Sequence, residues 1–307
     1  MSSKFESQYS WQFWGSLASL FFCVLLLQTK KLEKGGKIDT IMNMIRPRFP
    51  YTLDWVKLMA EYLQQEISSD HPERYESHDL LIPVIFLAWA PGAGKTEWIE
   101  SFPDLDHYIV LDSDLYRSLF EGYIGSNAAE FHQFASRVMD RMYSYCIKHG
   151  YNMIVDGTFA NSQKASENIR QCEKRWLPFS IVLVMQDPII SYLYTKKREQ
   201  EKLRNVPTEV FIEKFYRSIE VVWTIFSLYS QARVYLAKKI SAGKFSFIRM
   251  EDREDFDKST VLPYNQEELT EYIQHLSADI SVNPTIIPIH LWHLHQKASN
   301  ISNDQDS

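Results

Sequence analysis

The run Pro91-Gly92-Ala93-Gly94-Lys95-Thr96 puts three kinds of phosphate chemistry into one short turn. Glycines at 92 and 94 let backbone N–H groups turn inward around phosphate oxygens. The Lys95 ammonium can reach the β- and γ-phosphates of a nucleotide, and the Thr96 hydroxyl suits Mg²⁺. A helix beginning near Gly94 would add its positive dipole end. The loop usually opens with a glycine six positions before the lysine, and here that position is Trp89. A bulky residue there reshapes the loop or stacks over a base. A turn with coincident glycines is the plain alternative, and the context of strand, glycine loop and helix argues against it.

Carboxylates that could complete such a site recur further along, in Leu111-Asp112-Ser113-Asp114 and in Val155-Asp156-Gly157-Thr158. One is needed to hold Mg²⁺, directly or through water, and one to accept the proton of an attacking hydroxyl. Asp112 equally fits the cap of a following helix. A cationic segment comes later: between Lys196 and Arg204, five cations face only Glu199 and Glu201. Transfer of a phosphoryl group spreads negative charge over three oxygens, and arginines on a mobile segment stabilise it while excluding water. For the lysines a solvated helix face is the better reading, with pairs such as Lys197 to Glu201. Arg198 and Arg204 flank the expected lid.

The elements that must position these groups are legible from periodicity. Short runs, apolar on both faces, occupy 82–88, 107–111, 151–155, 179–185 and 245–250, each separated from the next by helix-length stretches. A parallel sheet covered on both sides requires that pattern, so the fold class is α/β, doubly wound. Ligands of open parallel sheets collect at the carboxyl ends of the strands, where the loop and the carboxylates would meet. Ahead of the sheet, 51–69 has apolar residues at helical spacing and reads as an amphipathic helix. Phe211, Phe215, Ile219, Val222, Phe226 and Tyr229 mark a long helix packed on the core, and 262–276 reads as one more helix.

The chain has 307 residues, is 45% hydrophobic and carries a net charge of −6, which suits one large domain or two small ones and excludes a fibrous or disordered protein. The negative balance, with no interleaving of aromatic and basic residues, argues against a nucleic-acid partner. Cys23, Cys146 and Cys172 are far apart and odd in number, so a disulfide scaffold is excluded and a reducing compartment fits. Residues 11–27 are nearly all apolar, and as a helix they would reach ~26 Å against a hydrocarbon layer of ~30 Å. Lys30, Lys31, Lys34 and Lys37 follow, so an inserted segment would leave the rest of the chain on the cytoplasmic side. This is a candidate membrane anchor; a helix buried on the domain and a flexible leader are its alternatives. His290, His293 and His295 lack a carboxylate or cysteine at ligand spacing, so a metal there is disfavoured. The domain boundaries that follow are 1–50 for the leader, 51–79 for the amphipathic helix, 80–262 for the catalytic domain, and 263–307 for a C-terminal helix and disordered tail.

The ordered set of Pro-Gly-x-Gly-Lys-Thr, Asp-x-Asp, an acidic residue before Gly-Thr, and a segment ending Arg-Asn-Val-Pro resembles the zeta toxin family of P-loop kinases over about 80–251. The resemblance implies a three-layer α/β/α P-loop NTPase fold with a mostly parallel five-stranded sheet, and ATP and Mg²⁺ as cofactors. By that likeness Pro91, Gly92, Ala93 and Gly94 form the nucleotide loop, and Lys95 and Thr96 hold the phosphates and magnesium. Asp114 is the general base, and Asp156 replaces the family's glutamate beside substrate and metal. Thr158 binds substrate, while Arg198 and Arg204 clamp the transferring phosphate. An antitoxin-like inhibitor belongs to the implied partners.

Two departures bear on the acceptor. Ala160 stands where the toxins carry an arginine that contacts substrate phosphates, and only five residues separate Arg198 from Arg204. Losing one hydrogen bond to a charged group is worth ~1.5–3 kcal/mol. The sequence therefore points to an ATP-dependent kinase acting on a hydroxyl of a small molecule, with UDP-N-acetylsugars as the acceptors the family suggests. The alternative is a catalytically inactive ATP-binding module working as a membrane-associated interaction protein.

Overall fold

A computed structural model describes residues 53–69, 82–120, 122–202, 206–241, 243–262 and 264–283, together with Ile287. The apolar stretch 11–27, Arg204, the three histidines near the end and the C-terminal tail lie outside the described residues. Among the described residues no helix is long and apolar enough to cross a membrane. The chain divides into two compact units, one of Met1–Pro72 with Asp112–Tyr145, the other of Glu73–Leu111 with Cys146–Ser307.

The second unit is built on a six-stranded sheet. Its strands are β1 (Val84–Trp89), β2 (Ile109–Asp112, whose last residue begins the other unit), β3 (Met153–Asp156), β4 (Phe179–Met185), β5 (Arg233–Ser241) and β6 (Lys244–Met250). Their spatial order is β2-β3-β1-β4-β5-β6. β1 runs parallel to β3 and β4, and β4 parallel to β5, while β6 returns antiparallel along β5. Every residue of β3 and β4 is buried, as strands that are apolar but for Asp156 and Ser180 require. Alternation along β1 sends Ile85 and Leu87 into a cluster with Trp98, Ile154, Val182 and Val184. It sends Phe86 against the rings of Phe159 and Phe179.

The sheet has six strands where five are expected from the sequence. The additional strand is β5, whose Arg233, Lys238 and Lys239 interrupt the apolar run that marks the others. The last strand is antiparallel because the β5–β6 turn is too short for a crossover.

Helices of this unit are α2 (Lys95–Ser101), α5 (Ser162–Glu173), α6 (Pro188–Lys202), α7 (Thr208–Leu228), α8 (Arg253–Thr260) and α9 (Gln266–Val282). α7 is the long apolar helix read from the sequence, and it packs on β1, β4, β5, α5 and α9. Tyr192, Leu193, Phe211, Phe215, Leu269 and Ile273 form the second core cluster. α9 begins at Asn265, whose side chain and that of Glu268 cap each other's backbone N–H, which explains its start near the position expected.

The first unit holds α1 (Leu53–Ser69), α3 (Ser113–Ser118) and the greater part of α4 (Ala128–His149). Val56, Met59 and Ala60 are buried at helical spacing on α1, and the Ser68 hydroxyl meets that of Tyr145 on α4. Phe120 packs its ring on Phe131 and Phe134.

Candidate functional site

β1 delivers Trp89 and the glycine loop to the carboxyl edge of the sheet, at the point where the strand order reverses around β1. The loop needs its glycines for two separate reasons. Gly92 and Gly94 have φ of 80° and 92°, a left-handed region that side chains rarely adopt. A Cβ on Gly92 would also stand 2.0 Å from the Ser191 carbonyl oxygen and 2.8 Å from the Thr195 hydroxyl. α6 therefore lies directly on the loop, which a residue with a side chain could not permit. Gly94 is the N-cap of α2, so Lys95 is its first residue.

Lys95 is buried, and its ammonium makes an ion pair with Asp156, whose side chain is 1% exposed, at the end of β3. The same carboxylate accepts a hydrogen bond from the Trp89 indole, 3.2 Å from Nε1 to Oδ1. The ammonium also lies 4.7 Å from the centre of the Trp89 ring. The structure thus brings Trp89, Lys95 and Asp156 into one cluster across adjacent strands. Thr96, next in the chain, is exposed. The glycine conformations, the buried lysine and the exposed threonine hydroxyl fit a nucleotide phosphate chain with a hard divalent cation.

Beyond β3, Thr158 is half-buried and its carbonyl accepts from Ser218 on α7 at 2.8 Å. Phe159 holds a φ of 55°, and its ring packs on that of Phe86. Ser218 also lies 3.3 Å from the Trp89 carbonyl and 2.7 Å from that of Lys214. With one hydroxyl proton to donate, it tethers the ends of β1 and β3 alternately. Spacing alone does not reveal this role; its signal is a polar residue among the buried apolar positions of α7.

α6 carries Arg198. Ser191 and Thr195 touch the loop, and Arg198 lies one turn further along the same face, half-buried. Lys196 pairs with Glu199 at 2.9 Å, and Lys197 with Glu201 at 3.9 Å on an exposed face, as the spacing predicts. The helix starts at Asp187, whose carboxylate accepts from the N–H groups of Ile189 and Ile190 at 2.8 and 3.1 Å. Burial pushes the Asp187 carboxyl above its ordinary range, and those two hydrogen bonds pull less strongly the other way. Arg204 lies outside the described residues.

A second cation beside the loop was also missed. Lys239 on β5 runs past Gly94, and its ammonium is 2.8 Å from both carboxylate oxygens of Glu97 on α2. It lies 5.0 Å from the Tyr194 ring centre. This pairing explains how a lysine side chain on β5 comes to be only 5% exposed. Burial and then the Glu97 charge raise the Tyr194 hydroxyl's pKa.

In the other unit, Asp112 caps α3 by accepting from the Asp114 N–H at 2.7 Å, as one sequence reading expects. Asp114 is in the first turn of α3 and makes an ion pair with Arg117, a partner one helical turn on that the sequence reading passed over. Among the described residues no group of three or more His, Cys, Asp or Glu is arranged to hold a metal by itself.

A mostly parallel sheet whose first strand runs into a Gly-x-Gly-Lys-Thr loop defines a P-loop kinase-like α/β protein. The Zeta toxin family model matches residues 75–256, and the chain belongs to that family of P-loop kinase-like toxins. No protein among curated sequences matches it. Among solved structures, the chain is similar to one from the PezAT chromosomal toxin–antitoxin system of Streptococcus pneumoniae. The identity is 15% and the TM-score 0.55, with 82% of this chain and 96% of that one covered. That likeness is one of fold. The native AvrRxo1-ORF1:-ORF2 complex is more distant, at 13% identity and a TM-score of 0.47 over 71% of this chain and 80% of that one. The same complex with ATP is at 15% and 0.45, over 69% of this chain and 71% of that one.

Proposed function

We propose that the chain is a kinase that transfers the γ-phosphoryl group of ATP to a hydroxyl of a small molecule. The observation that carries this reading is the buried Lys95, set at the end of a glycine loop and beside a carboxylate from the neighbouring strand. A loop that served only as a turn would have no reason to bury a cation there.

In this reading the amides of 92–95 and the Lys95 ammonium bind the β- and γ-phosphates, and Thr96 with Asp156 holds Mg²⁺. The cation, when bound, neutralises charge on the phosphate oxygens. Asp114 accepts the proton of the acceptor hydroxyl, and Thr158 orients that acceptor. Arg198, joined by Arg204, covers the transferring group and excludes water. UDP-N-acetylsugars are the first acceptors to test, and Ala160 in place of a phosphate-contacting arginine favours an acceptor with fewer anionic groups. The toxin–antitoxin origin of the similar solved structure supports an inhibitory protein partner. The apolar stretch 11–27 is a candidate tether for the catalytic part on the cytoplasmic face of a membrane.

A nucleotide-binding module without transfer is the second reading. In its favour, both oxygens of Asp156 are already engaged by protein groups. Incubation with γ-labelled ATP and a metabolite extract separates the two: a labelled small molecule supports the kinase, and nucleotide binding with no labelled product supports the module.

A further inference from the structure

The least conventional residue of the loop is Trp89, and its side chain does something a glycine at that position cannot. The indole N–H takes one oxygen of Asp156 while the Lys95 ammonium takes the other. The face of the same ring lies under that ammonium at 4.7 Å. Ser218 fixes the backbone from which the indole projects, and Trp89 pairs with Val184 of β4 in the sheet register. Lys95 and Asp156 are both nearly inaccessible, so their pairing is little weakened by solvent. The two groups that should serve the phosphate and the cation are paired with each other.

We propose that Trp89 is a positioning residue that latches Lys95 to Asp156, and that nucleotide entry opens the latch. A phosphate chain in the loop competes with Asp156 for the Lys95 ammonium. When it wins, the carboxylate oxygen facing Lys95 is released, while the indole keeps hold of the other and sets the direction of the freed one. Nucleotide binding thereby readies the carboxylate used in transfer, and an enzyme without nucleotide keeps it closed. The proposal rests on the kinase reading above.

The test compares the full chain with Trp89→Phe, which keeps a ring of similar size and removes the N–H, and with Trp89→Gly, which restores the usual loop residue. Circular dichroism and thermal unfolding identify which variants are folded. Calorimetric titration with Mg·ATP measures binding apart from turnover. The latch predicts that Trp89→Phe binds ATP about tenfold more tightly, since a carboxylate that the indole no longer aims pairs less firmly with the Lys95 ammonium for which the phosphates compete. It also predicts a kcat about tenfold lower, because Asp156 is no longer aimed, and a change in indole emission on adding Mg·ATP that is larger in wild type than in either variant, which both keep Trp98 on α2. A purely structural tryptophan would weaken ATP binding in both variants. Unchanged or weaker ATP binding in a folded Trp89→Phe chain overturns the latch while leaving the kinase reading intact. Absence of ATP binding by wild type overturns both.

Discussion

The carboxyl edge of β1 and β3 and the solvent face of α8 both carry paired charges, yet the pairs are of different kinds. On α8, Arg253 and Asp257 are 3.1 Å apart and four residues apart in sequence, with side chains 72% and 57% exposed. At the sheet edge, Lys95 begins α2 and Asp156 ends β3, and their side chains are 8% and 1% exposed. A pair like the first contributes ~0.3–0.5 kcal/mol and follows from helical spacing alone. The second has a desolvation cost that hydrophobic residues would avoid, so its place in the core calls for a use other than stability. Local, wet pairs decorate a helix; a buried pair spanning the sheet marks the site.

Substitution of Lys95 has the largest expected effect. Lys95→Met leaves the Asp156 carboxylate without its ammonium and should cost about 3–5 kcal/mol in denaturant unfolding. It should also lower phosphoryl transfer by about 10²–10³-fold. The double variant Lys95→Met with Asp156→Asn should regain most of that stability and none of the activity. Asp114→Asn is expected to reduce kcat by about 10²–10⁴-fold with ATP binding retained, measured by initial rates beside calorimetry. Transfer unaffected by that change would remove Asp114 from the mechanism.

Gly92→Ala should destabilise by about 2–4 kcal/mol, because strain at φ 80° is joined by a clash with the Ser191 backbone. Gly150→Ala shares the left-handed φ, at 71°, but meets nothing within 4 Å, so about 1 kcal/mol is expected. Equal losses in thermal unfolding would mean that α6 does not lie on the loop.

Asp187 sharpens the contrast through pH. Its carboxyl is raised above the ordinary 3.8, so the folded chain binds that proton more tightly than the unfolded chain does. The stability from this group is full below 3.8 and is lost as pH rises through the raised value. Asp187→Asn should flatten the stability profile in that window while keeping the side-chain oxygen that caps α6. The smallest effect belongs to the solvent face, where Asp257→Ala should change stability by at most about 0.5 kcal/mol.

What could be read from the sequence follows the same division between local and distant. The loop was legible because strand, glycines, lysine and helix are contiguous, and the cap at Asp112 and the Lys197–Glu201 pair because their partners are within a helical turn. Trp89 stood out as a departure, but its partner is 67 residues away in sequence, so no spacing rule could supply it. β5 was overlooked for a related reason. Its Lys239 looks like a break in an apolar run until Glu97, 142 residues earlier, is seen to receive it. With β5 absent from the reading, the sheet came out one strand short and the antiparallel direction of β6 had no partner to reveal it.

In the proposed kinase, the buried Lys95 serves to move a phosphoryl group. The most direct measurement is appearance of label from γ-labelled ATP in a small-molecule hydroxyl, with wild type and Lys95→Met compared at equal concentrations of folded protein. Label is expected in product with wild type and about 10²–10³-fold less with the variant. Equal labelling by both, or none by wild type across UDP-N-acetylsugars and a whole metabolite extract, would contradict it.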